Sequence, residues 1–177
     1  MTLALDDVLA APRGEGTLEL IVRRPRPEER EIVEEAEFDV EVGLVGDCWL
    51  ERGRSRGRSA NPEAQVTLMS SRVARLVSGG HDPDGWALAG DQLYVDLDLS
   101  EEALPAATRL AVGEAVLEVT PAPHTGCAKF SARFGSEATR LVNGSAHRRL
   151  RLRGVNARVV EPGRVRRGDA VRVLGGA

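Results

Sequence analysis

Strand-length runs of aliphatic and β-branched residues recur along this chain, several of them bounded by glycine or proline. Residues 17–23, 65–69, 94–99, 155–160 and 170–174 all read this way. Residues 109–112 and 115–120 flank Gly113-Glu114, the two-residue spacing of a β-hairpin. Helical patterning is confined to short stretches. One runs through Val73, Leu76 and Val77, with Ser70 or Ser71 as its cap and Gly79-Gly80 as its stop; another covers 137–142. Many short strands with few helices predict a mostly-β barrel with short helical insertions. No repeat and no linker is visible, so one domain over 1–177 is expected, long enough to bury a real core.

Charge narrows the partners. The balance of 24 Lys plus Arg against 27 Asp plus Glu gives −3, and nucleic-acid binders usually carry a basic domain instead. Aromatic residues make up 3% of the chain, too few for base-stacking platforms. No run approaches the roughly 20 apolar residues of a membrane span. The first residues carry no basic region of the kind that opens a secretory signal. Two cysteines in that setting fit free thiols in a reducing compartment, so a cytoplasmic protein is expected.

Two charged stretches stand out. Eight carboxylates lie between Glu28 and Glu41 and read as a solvated acidic face. Arg52, Arg54, Arg56 and Arg58 then alternate with Gly and Ser before Asn61-Pro62. Such a loop either grips phosphate through bidentate hydrogen bonds or is a solvated turn.

The chain uses arginine almost throughout and has one lysine, Lys129, in the run Pro121-Ala122-Pro123-His124-Thr125-Gly126-Cys127-Ala128-Lys129-Phe130. The prolines end the preceding strand, and Gly126 lets the backbone turn. If Ala128 opens a helix, Cys127 sits at its N-terminus, where the dipole favours thiolate. Lys129 and Arg133 add positive charge, and His124 relays a proton or holds an anion. Cys48, between Asp47 and Trp49, reads as a small buried hydrophobe. Zinc is disfavoured because Cys48, His81, His124 and Cys127 are dispersed and no Cys-x-x-Cys occurs. A Cys–His hydrolase needs the two groups in contact; His124 is too near in sequence, and His147 remains open. Neither a Walker nor a dinucleotide glycine pattern is present.

Four stretches together resemble the MOSC family, named for its likeness to the C-terminal part of molybdenum cofactor sulfurase. They are Gly43-Leu44-Val45-Gly46-Asp47, Gly90-Asp91-Gln92-Leu93, residues 110–120 leading into the Cys127 loop, and Gly168-Asp169-Ala170-Val171. The resemblance implies a β-barrel of the pyruvate-kinase-like kind and molybdenum cofactor (molybdopterin) as ligand. It places the metal on Cys127, or a persulfide there. Candidate catalytic residues are then Cys127, Lys129 and His124. Candidate cofactor contacts are Arg54, Arg56, Arg58, Asn61, Thr125, Gly126, Lys129 and Arg133. The implied activities are reduction of N-hydroxylated substrates with an external electron donor, or sulfur transfer fed by a cysteine desulfurase. A metal-free sulfur carrier and a module binding a small anion or a partner protein are the alternatives. Bound metal selects the first, releasable sulfur without metal the second, and neither the third. Here His-Thr-Gly precedes the cysteine where many members have proline, and neither the pyridoxal-phosphate domain of the full sulfurase nor the N-terminal β domain of the reductases is recognised.

Overall fold

The computed structural model describes residues 5–55, 57 and 59–175. In chain order the strands are β1 (Glu15–Arg23), β2 (Glu31–Val33), β3 (Glu35–Asp39), β4 (Gly43–Leu44), β5 (Val66–Ser70) and β6 (Leu93–Asp96). They continue with β7 (Arg109–Val112), β8 (Ala115–Val119), β9 (Val155–Glu161), β10 (Gly163–Arg166) and β11 (Ala170–Leu174). The helices are α1 (Asp6–Leu9), α2 (Trp49–Ser55), α3 (Ser71–Ser78), α4 (Pro83–Ala87) and α5 (Ala128–Asn143).

Seven strands close into a barrel in the order β11-β7-β8-β9-β5-β6-β1, with β11 paired back to β1. β2 hangs on the far end of β1, and β10, β3 and β4 make a small second sheet. β5 and β6 pair in parallel. A parallel pair needs a crossover, and α3 and α4 supply it. The β7–β8 hairpin turns through Gly113 at φ 53°, with Val112 opposite Ala115, as the two-residue spacing requires.

Strand alternation builds two cores. Leu18, Ile21, Leu68, Leu93, Val95, Leu117, Val119 and Ala157 fill the barrel. Leu20, Val22, Met69 and Tyr94 point outward beneath α3, α4 and α5, against Val73, Trp86 and Phe130. A bulge between Leu18 and Leu20 resets the alternation, so Leu18 and Ile21 both face inward. β1 thereby serves both cores.

Three expectations are corrected. The acidic stretch is not simply a solvated face. Period-two spacing in Glu35-Ala36-Glu37-Phe38-Asp39 makes β3, with Ala36 and Phe38 buried. Its carboxylates face arginines of the β10 end: Glu37 with Arg164, Glu35 with Arg166 and Glu34 with Arg167. The arginine stretch is helical as far as Ser55. Gly53 is there because the chain returns against it: a Cβ would lie 2.5 Å from the Ala60 backbone nitrogen. Arg56 and Arg58 lie outside the described residues. Finally, Ser70 occupies the cap position of α3 by its backbone, yet its hydroxyl makes no capping bond. The Ser70 and Ser71 hydroxyls are both buried without a partner among the described residues.

α5 is bent double. Gly135 (φ 89°, ψ 167°) interrupts it. A straight helix of this length would hold its ends about 24 Å apart. Instead Asn143, at the far end, clasps Gly126, just before the start: its Oδ1 accepts from the Gly126 N–H at 2.8 Å and its Nδ2 donates to the Gly126 carbonyl at 2.9 Å. Among the described residues no helix is long and apolar enough to cross a membrane.

Candidate functional site

The β8–α5 connection carries Cys127, and the fold holds that connection at several points. Asn156 of β9 donates to the carbonyls of Ala122 and Pro123. Asn143 clasps Gly126 as described. Cys127 is the N-cap of α5, extended at φ −106° and ψ −177°, with an exposed thiol. The free N–H groups of the first turn, Phe130 foremost and then Lys129, face the sulfur without closing a full capping bond. They and the Arg153 charge outweigh burial and lower the thiol pKa. Cys48 behaves oppositely: burial, and then the Asp47 carboxylate, raise its pKa.

In each of the two glycine motifs a buried aspartate directly after a glycine, Asp47 or Asp91, holds an arginine. Asp47 takes the Arg24 guanidinium through Nε at 2.9 Å and Nη2 at 2.8 Å, and accepts the Arg24 backbone N–H as well. Asp91 is fully buried. Its Oδ1 lies 2.7 Å from His124 Nε2, and its Oδ2 accepts from Arg153 Nη1. Burial alone would raise the Asp91 pKa; the charges of Arg153 and His124 overcome it and hold the carboxyl well below the usual range. Arg153 also donates to Ala89 O and lies 5.0 Å over the Phe130 ring, while its Nε is buried with no partner among the described residues. Gln92 joins the halves, donating to Asp47 Oδ2 at 3.2 Å and accepting from Thr67.

These groups surround a cavity of about 260 Å³ lined, among the described residues, by the cations Arg24, Arg26, Arg30, Arg52, Arg133, Arg153 and Lys129 and by the carboxylate Glu28. Both cysteines reach it. Arg30 bonds backbone carbonyls, Ala87 O and Glu29 O, and not a carboxylate. Burial, then Arg133 and Arg24, lower its pKa. A neighbouring cavity of about 450 Å³ shares Arg24, Arg52, Thr67, His124 and Thr125 and adds Trp49, Asn61 and Asn156, so the two form one cleft. A larger hollow of about 610 Å³ near α1 and α3 holds neither cysteine.

The structure thus brings together Cys127, Lys129, His124, Thr125 and Arg133, with Asn61 next door. Gly126 lies behind them, where a Cβ would come 3.1 Å from Val142 Cγ2. Arg54 is exposed and lines neither part of the cleft. Lys129 sits at the mouth with its ammonium on Glu28, so its backbone, more than its charge, acts on the thiol. Sequence reasoning missed Arg24, Arg30, Arg153 and the reach of Cys48. The available signal was the aspartate that directly follows a glycine in each motif, Asp47 and Asp91. Among the described residues no group of three His, Cys, Asp or Glu is placed to hold a metal.

The thiol geometry gives a direct expectation. At neutral pH Cys127 should alkylate at least about tenfold faster than Cys48, because thiolate fraction and access both favour it. Lys129→Ala should leave that ratio within about twofold. Mass-resolved labelling of the folded protein checks both; equal rates at the two thiols would contradict the field ascribed to the α5 amides.

The barrel has close relatives in shape. The YUAD protein from Bacillus subtilis superposes with a TM-score of 0.60 at 19% identity, covering 92% of this chain and 97% of that one. YiiM from Escherichia coli gives 0.58 at 18% identity, covering 91% and 71%. YiiM from Geobacillus stearothermophilus gives 0.56 at 12% identity, covering 92% and 73%. At these identities the likeness is one of fold. No curated protein sequence matches significantly. The family description of the MOSC domain, however, matches residues 52–172. That span contains the Asp91 motif, the Cys127 loop and the barrel strands β5 to β9, and the chain therefore belongs to the MOSC domain family, a family associated with molybdenum cofactor binding and sulfur transfer.

Proposed function

We propose that the cleft binds molybdenum cofactor, with Cys127 as the protein's sulfur ligand to the metal. The observation that carries this reading is the joining of an exposed, acidified thiol to a cavity lined, among the described residues, by seven cations and one carboxylate. The residues fit the group on both of its demands. A soft thiolate suits a redox-active transition metal, and arginines suit a phosphate. The buried, unpartnered Nε of Arg153 is a donor awaiting an acceptor.

When bound, the group supplies redox and sulfur chemistry that no side chain provides. The chain's own residues do the rest. The α5 amides and Arg153 lower the Cys127 thiol pKa and so favour its thiolate. Asp47 and Asp91 fix the guanidinium planes of Arg24 and Arg153, so anion binding requires little reordering. Asp91 holds Nε2 of His124, leaving Nδ1 as the ring nitrogen free to exchange a proton. Lys129, Arg133 and Arg52 contribute further positive charge along the walls.

The activity served is reduction of an N-hydroxylated substrate with electrons from an external donor, or sulfur transfer. The exposure of Cys127 favours the second as well, with a persulfide charged by a cysteine desulfurase. Protein made in a host that produces the cofactor should contain about one equivalent of molybdenum, and Cys127→Ser should lose it, because a hydroxyl is a harder and far less acidic ligand. For sulfur carriage, the desulfurase-treated wild type should gain about 32 Da, one sulfur atom on a thiol, and the variant should not. Metal or sulfur retained by Cys127→Ser would put the chemistry elsewhere; neither under any condition would leave an anion-binding module.

A further inference from the structure

Among the described residues Glu28 is the one carboxylate on the cationic cavity. It lies in the β1–β2 loop directly after Pro27, with φ 69°, a left-handed conformation that non-glycine residues rarely adopt. Its two oxygens are divided between two cations of α5: Oε1 takes the Lys129 ammonium, and Oε2 accepts from Arg133 Nη2 at 2.7 Å. Arg30 stands in the same cavity, its hydrogen bonds among the described residues going to backbone carbonyls, and the charges of Arg133, Arg24 and Glu28 bear on it. The Glu28 and Lys129 side chains are 56% and 61% exposed, so solvent screens their attraction and the contact can be exchanged. A carboxylate carried in on a strained loop and shared between two cations resembles, in its chemistry, a bound oxyanion.

We infer that Lys129, Arg133 and Arg30 form an oxyanion subsite at the mouth of the cleft, which Glu28 occupies until a ligand displaces it, making Glu28 a specificity-determining residue. A phosphate-type dianion offers more charge than the carboxylate it replaces and takes the site. A simple monoanion offers no more than Glu28 does and is refused. The inference rests on the reading of the cleft as an anion site, and not on a metal being held there.

Titration calorimetry of the full chain with inorganic phosphate, and separately with acetate, tests it. Glu28→Gln should bind phosphate about fivefold more tightly than wild type and should bind acetate where wild type does not. Glu31→Gln, which removes the same charge beside Arg23 away from the cleft, should change phosphate affinity less than twofold. In wild type, phosphate should speed hydrogen exchange of the Glu29 amide, which is bonded to Arg26 O at 3.1 Å in the Glu28-closed loop. Equal shifts in the two variants would reduce the effect to net charge and overturn the inference, as would unchanged affinity in Glu28→Gln. Because phosphate alone is the probe, a protein without molybdenum that shows the Glu28 pattern overturns the cofactor reading and not this one. A protein that holds molybdenum through Cys127 but shows equal shifts does the reverse.

Discussion

Asp91→Asn is expected to destabilise the protein by about 3–5 kcal/mol, the usual cost of removing one partner from a buried ion pair. The carboxylate is inaccessible, and the side chains of Arg153 and His124 are 7% and 16% exposed. Losing the charge leaves a buried guanidinium that already has one unpartnered nitrogen. Asparagine keeps the shape, so the loss reports charge and not a void. The pH dependence follows from the direction of the shift. The folded-state pKa of Asp91 lies below its unfolded value of about 4. Its contribution is therefore complete above that value and fades as pH falls below it toward the folded pKa. Denaturant midpoints should drop in wild type below about pH 4 and drop less in the variant. An Asp91→Asn protein as stable as wild type at neutral pH would mean that Arg153 finds water or another partner without it.

Gly154→Ala is expected to cost about 3–5 kcal/mol, combining overpacking with left-handed strain. Gly154 has φ 115°, and a Cβ there would lie 2.1 Å from the Leu68 carbonyl oxygen and 3.3 Å from His124 Cδ2. The obstacle is backbone, in the strand to which β9 pairs at Leu68 and Val155, so relief means prising β9 from β5. The barrel seam and the histidine should move together. A lowered unfolding midpoint with displaced His124 ring resonances is the expected pair of results; a wild-type midpoint would show that the seam yields without cost.

What was legible in the sequence depended on distance along the chain. The β7–β8 hairpin, β11 and the start of α5 at Cys127 rest on neighbouring residues, and each was readable from them. The barrel and the family followed from the order of the glycine motifs. β3 was hidden because its solvent-side glutamates outweighed Ala36 and Phe38 in any count of charge. The helical course through Arg54 was hidden because Gly53 reads locally as a turn, although it answers a contact with Ala60. The cleft was hidden most. Arg24 and Asp47 are 23 residues apart, and Arg153 and Asp91 are 62 apart. No local pattern distinguishes those arginines from the others on the surface. The rarity of lysine drew attention to Lys129, which lines the cleft, but the electrostatics of the thiol come chiefly from main-chain amides, which sequence composition does not register.

The clasp between Asn143 and Gly126 closes a non-covalent ring around the doubled helix, with the thiol one residue beyond the knot. A segment tethered at both ends has fewer conformations to surrender than a free loop of the same length. The reactive sulfur is consequently stationed before any ligand arrives, and association need not be spent on immobilising it. Loosening the knot should therefore be felt as slower capture and faster escape at the cleft even where every ligand-touching group is intact.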